Sequence, residues 1–190
     1  MRKVLTLRTG EEIIIRHLKK SDVEGIWNNF NEVIDEGLYL PVLFPVRTQI
    51  EKDSWFHNIK KNNEICIIAE NSNLKPPFNI VGQCEISNSE WDAANHVGVL
   101  GIIVKKKYRD FGIGRELISL AIKESKKLNN KEKIILSCLS TNERAIYLYK
   151  KLGFKIVGTR VNQFYMNSTF FDEILMELWI DDFLNQKIEL

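Results

Sequence analysis

Gly112 and Gly114 stand one residue apart between an apolar run, Val99–Val104, and a helical stretch that begins at Arg115. A glycine turn at a helix start leaves several backbone N–H groups unpartnered beside the positive end of the dipole, and that combination suits a phosphate. Without Cβ atoms, the two glycines let an anion come close to the backbone. Arg109 and Arg115 add positive charge nearby. A triphosphatase loop needs Lys and then Ser or Thr after its last glycine, and Arg115-Glu116 stand there instead. A dinucleotide fingerprint needs a third glycine where this chain has Leu117. The spacing points to diphosphate binding of another kind, with a plain strand-to-helix connection as the bland alternative.

The elements that must position this turn follow from periodicity. The run before it is short and β-branched, as a buried strand is. Behind it Leu117, Ile118, Ala121, Ile122 and Leu128 form one helical stripe that fades at Asn129-Asn130. Upstream, residues 4–18 read as two short strands around a turn at Arg8–Glu11. Ser21 and Glu24 have the form of a capping box, followed by Val23, Ile26, Trp27, Phe30 and Ile34 at helical spacing as far as Gly37. Pro41 and Pro45 break the chain before a second helix over Thr48–Lys61, packed through Ile50, Trp55 and Ile59. Strands are then expected over Ile65–Ala69, Ile80–Ile86, Val97–Val104, Lys133–Leu139, Phe154–Gly158 and Ile174–Ile180, with a helix over Asn142–Leu152. A central sheet with helices on both faces is the expected outcome.

At 190 residues the chain is read as one domain over 1–190, with no internal repeat or linker. A net charge of +2 gives no reason to expect nucleic acid as a partner, and no apolar stretch is long enough to span a bilayer. The first residues lack a signal-peptide core, and Cys66, Cys84 and Cys138 lie in apolar segments, so buried free thiols in the cytoplasm are expected.

The string Arg109-x-x-Gly112-x-Gly114 resembles the pyrophosphate loop of the GNAT family of N-acetyltransferases. A second string does too: Asn142, Ala145, Leu148, Tyr149, Gly153 and Phe154 match that family's Asn-x-x-Ala…Leu-Tyr-x-x-x-Gly-Phe. Ile15-Arg16 with Asp22, and Phe171–Leu178, are similar to its opening and closing strands. The closing pattern leans toward the ribosomal-protein and small-amine branches.

The resemblance implies an α/β fold with a mixed, largely antiparallel sheet of six or seven strands, splayed at a central parallel pair. It implies acetyl-CoA as acetyl donor and no metal. Backbone of Ile102, Ile103 and Val104 would meet the pantetheine, and Arg109, Asp110, Phe111, Gly112, Ile113 and Gly114 the pyrophosphate. Asn142 would face the arm from the second side, and Tyr149 would protonate or hydrogen-bond the departing sulfur. Relatives often carry a glutamate base where this chain has Gly98 and Val99, which leaves Glu85, His96 or water. Glu32, Asp35, Glu36 and Tyr39 offer charge and an apolar body for a small cationic amine or a protein N-terminus, with Leu40 and Phe44 beside them; Tyr165 and Phe170 would close the other side. The rival from another class is a protein of this fold that binds acetyl-CoA without turnover. A nucleotide-binding module is a third reading, and a homodimer stays open.

Overall fold

The computed structural model describes residues 2–185. Its strands are β1 (Arg2–Thr6), β2 (Glu12–His17), β3 (Ile65–Asn71), β4 (Ile80–Asn88), β5 (Val97–Val104), β6 (Lys133–Leu139), β7 (Lys155–Met166) and β8 (Thr169–Trp179). The helices are α1 (Val23–Asp35), α2 (Gln49–Lys61), α3 (Ile113–Asn129), α4 (Glu143–Lys151) and α5 (Ile180–Asn185). All eight strands join one sheet in the order β1-β2-β3-β4-β5-β6-β8-β7. Only β5–β6 is parallel among the described pairings; its neighbours are antiparallel. The family resemblance implies six or seven strands. The eighth arises because β1 folds back on β2 through a turn closed by Leu7–Glu11 and Gly10–Leu7 backbone bonds of 2.8 Å.

β3 shows why the sheet is covered on both sides. Ile65, Ile67 and Ala69 point into a core under α3, where Leu117, Ile118, Ala121 and Ile122 are fully buried. Cys66 and Ile68 point the other way, into a smaller cluster with Ile26 of α1 and Ile59, Trp55 and Phe56 of α2. Alternate residues of a strand face opposite layers, so a strand buried on both faces reads as one continuous apolar run.

The parallel pair is joined over a short stretch only. Val97, Gly98 and Val99 pair with Lys133, Ile134 and Ile135, after which β5 and β6 run on to Val104 and Leu139 without pairing each other. Gly98 sits at this junction: a Cβ there would lie 2.5 Å from Ile86 Cγ2 and 3.0 Å from Ile134 Cδ1. A side chain there would have to displace both, so glycine is what lets β5 pack at this junction.

Three local expectations change. The capping box falls at Thr48, not Ser21: Thr48 Oγ1 accepts from the Glu51 amide at 3.3 Å and Glu51 accepts from the Thr48 amide at 3.1 Å. Ahead of α1 it is Asp22 that reaches back, accepting the Lys19 amide at 2.7 Å while held by both Arg16 terminal nitrogens at 2.7 and 2.9 Å. In the C-terminal hairpin, β7 and β8 extend well beyond Phe154–Gly158 and Ile174–Ile180. They meet at Asn167-Ser168, whose φ values of 49° and 61° fit a primed hairpin turn. Ile50, expected to pack, is 82% exposed on α2.

Candidate active site

Where β5 and β6 part, a cavity of about 580 Å³ opens. Leu100–Val104 of β5 form one wall and Ser137–Leu139 of β6 the other. Gly112, Gly114 and Arg115 lie at one end, Ala145, Leu148 and Tyr149 of α4 along a side, and Val33, Tyr39, Leu40 and Pro41 across the α1 side. Beyond Val99 the β5 backbone has no β6 partner, so its polar groups on that edge are left for another acceptor or donor.

The glycine turn is built by two residues in the left-handed region, Asp110 (φ 66°) and Gly112 (φ 80°). A Cβ on Gly112 would meet nothing within 4 Å, so open space lies over its backbone. The Glu116 amide donates to the Gly112 carbonyl at 3.1 Å and starts α3, which leaves the preceding amides free at the positive end of the helix. Gly114 also serves packing. A Cβ there would lie 3.3 Å from Leu148 Cδ2, so glycine lets α3 approach α4.

Ile102, Ile103, Val104, Arg109, Asp110, Gly112, Gly114, Asn142 and Tyr149 all line the cavity. Phe111 and Ile113 do not place their side chains there. Ile113 is 1% exposed in the core, and Phe111 packs against it with the Arg8 guanidinium 4.9 Å over its ring. Only their backbone is available to a ligand. Asn142 spends its Oδ1 as the cap of α4, accepting from the Ala145 amide at 3.2 Å.

Arg109, expected at the diphosphate, lines the cavity and is also paired within the protein. Its Nε donates to the Val104 carbonyl at 2.8 Å, and its two terminal nitrogens donate to both Glu36 oxygens at 2.7 and 2.5 Å. Its guanidinium also lies 4.8 Å over the Tyr39 ring. Glu36 is therefore not a free charge for an acceptor, and neither is Glu32, which accepts from Lys105 Nζ at 2.9 Å. Asp35 is exposed, and Tyr39 alone of the four expected acceptor residues lines the cavity.

Glu85 lies on β4 directly across from Gly101 of β5, on the face toward α1 and α2. Glu85 itself does not line the cavity, but Gly101 does, and Gly101 is exposed with nothing within 4 Å of a built Cβ. Burial pushes the Glu85 pKa up to about 7, against the opposing pull of a hydrogen bond from Trp55 Nε1 at 3.2 Å. The Trp55 contact with Glu85 is not legible in the sequence, because the spacing of Trp55 with Ile59 marks it only as a packing residue. Burial also raises the Tyr149 phenol, so it stays neutral and able to donate a proton. His96 is exposed at the opposite end of β5 from the glycine turn. Tyr165 and Phe170 pair on the exposed hairpin with ring centroids 4.8 Å apart.

A mixed sheet parted along its parallel pair, with a glycine turn closing one end of the gap, defines an acyltransferase architecture. The chain belongs to the acetyltransferase (GNAT) family, whose model matches residues 31–154. It is 44% identical over 59 residues to an N-alpha-acetyltransferase of Sulfurisphaera tokodaii, covering 31% of this chain and 35% of that one. It is 29% identical over 83 residues to spermidine N(1)-acetyltransferase of Escherichia coli, covering 44% of this chain and 45% of that one. The matched segments thus span less than half the length of these two relatives. The fold is shared with a Salmonella typhimurium protein solved with its cofactor acetyl-CoA, at 19% identity and a TM-score of 0.80 over 89% of this chain and 94% of that one.

Proposed function

We propose that residues 1–190 act as one domain that moves an acetyl group from acetyl-CoA to a primary amine, by direct attack in a ternary complex. The parted β5–β6 cavity ending in the glycine turn carries this reading. Free amides at the turn bind the diphosphate, and the unpaired edge of β5 takes the pantetheine. Glu85 receives the proton of the incoming ammonium, directly or through water; a carboxyl with a pKa of about 7 is matched to that transfer at neutral pH. As the amine attacks the thioester carbonyl, β5 amides stabilise the oxyanion. As the tetrahedral intermediate collapses, neutral Tyr149 gives its proton to the departing coenzyme sulfur, and the second proton of the cationic nitrogen, released as the amide forms, restores the Tyr149 phenol. The acceptor is a small cationic amine or a protein N-terminus, the two acceptor types named by the relatives. The three free cysteines favour a reducing compartment, the cytoplasm.

Free-thiol release from acetyl-CoA, followed with a panel of polyamines and N-terminal peptides, tests this reading. Amine-dependent release is expected. Tight acetyl-CoA binding with no release by any amine would instead favour a non-catalytic acetyl-CoA sensor.

A further inference from the structure

α1 ends on two carboxylates, Asp35 and Glu36, with no basic residue in its last turn. Carboxylates at the negative end of a helix dipole are unfavourable unless a cation answers them. Here the cations come from a segment 73 residues away: Lys105 holds Glu32 and Arg109 holds Glu36. Both pairs are spaced i, i+4 on each partner, so two rungs join α1 to the loop that leads into the glycine turn. The second rung is bidentate and largely removed from water, with Arg109 and Glu36 side chains only 12% and 15% exposed. Arg109 adds the Val104 carbonyl below and the Tyr39 ring above.

We infer that Arg109 is a positioning residue of the acceptor wall and not a ligand of the donor diphosphate. It clamps the end of α1 and Tyr39 onto the donor loop, so the segment that grips the acetyl donor also sets the place of Tyr39, Leu40 and Pro41, which line the same cavity. Nε and one N–H on each terminal nitrogen are already spent inside the protein, so leaving this clamp for a phosphate would break three hydrogen bonds, and the diphosphate is held by backbone amides. The inference rests on the acetyltransferase reading for the names donor and acceptor, while the clamp itself rests only on the contacts.

The test uses the full chain with R109Q and E36Q, read in three ways. Calorimetry with acetyl-CoA is expected to give R109Q a dissociation constant within about threefold of wild type. Amide hydrogen exchange over residues 33–37, where the last turn of α1 is closed by the Gly37 amide donating to the Ile34 carbonyl at 2.8 Å, is expected to quicken at least about tenfold in both variants. With spermidine as probe acceptor, KM for spermidine rises while KM for acetyl-CoA holds, and the charge-swapped E36R/R109E restores slow exchange. Acetyl-CoA binding weakened about tenfold or more in R109Q, with exchange over 33–37 unchanged, would overturn the inference. Exchange needs neither substrate, so it decides the clamp even where wild type fails to bind acetyl-CoA, a result that would sink the acetyltransferase reading instead.

Discussion

Glu85 is placed where its chemistry costs stability. Its carboxyl holds a proton up to about pH 7 in the folded chain, against an ordinary value of 4.5. The folded state therefore binds more protons through that window, and stability falls as pH rises from about 4.5 to 7. Above it the full cost is of the order of 3 kcal/mol. Glu85→Gln is expected to unfold at a higher temperature than wild type at pH 8, with the gap closing near pH 4.5, while acetyl transfer is lost. An equal gap at both pH values would show that the carboxyl is not held neutral by burial. Wild-type kcat/KM is expected to rise with pH on an apparent pKa near 7. Tyr149→Phe removes the proton donor without emptying its place against Phe154, whose ring centroid is 5.8 Å away. Its kcat is expected to fall about a hundredfold with KM for acetyl-CoA little changed; unaltered turnover would remove Tyr149 from the mechanism.

At the scale of elements, what could be read from sequence was whatever local periodicity dictates. The stripes of α1, α3 and α4, the glycine turn and β5 all stand where residue spacing puts them. The second half of the C-terminal hairpin was not legible, because β7 is an exposed edge strand. Residues such as Arg160, Val161 and Asn162 show no alternation, and the register breaks between Arg160 and Phe164. The ion pairs of Glu32 and Glu36 are not legible for another reason. Glu32 and Glu36 look like free charges along the chain, and their partners Lys105 and Arg109 lie 73 residues on. Pairing across that separation leaves no local signal. Gly98 gives an element-level prediction: Gly98→Ala overpacks the β5–β6 junction against Ile86 and Ile134 and should cost about 1–3 kcal/mol in chemical denaturation. A neutral effect would mean that the junction is looser than its contacts imply.

For the whole molecule, the sheet is a frame that opens in one place. Pairing holds β5 and β6 at one end, α3 and α1 cover opposite faces, and the cavity forms where the strands diverge. A ligand that fills this gap binds the folded chain alone and must stabilise it. At about a hundred times its dissociation constant acetyl-CoA should add about 2.7 kcal/mol, a rise of roughly 5–10 °C in Tm, while ATP and NAD leave Tm in place. A larger shift with ATP or NAD would favour a nucleotide-binding module.

The central claim is that open backbone at Gly112 holds the donor's diphosphate, and calorimetry of acetyl-CoA with wild type and Gly112→Asp tests it most directly. Aspartate tolerates the left-handed φ of 80° there and its Cβ meets nothing within 4 Å, so the variant is expected to fold. The predicted result is clear binding by wild type and a loss of at least about tenfold in the variant, whose carboxylate stands where the diphosphate must lie. Undiminished binding by Gly112→Asp, or no binding by wild type, would contradict the account.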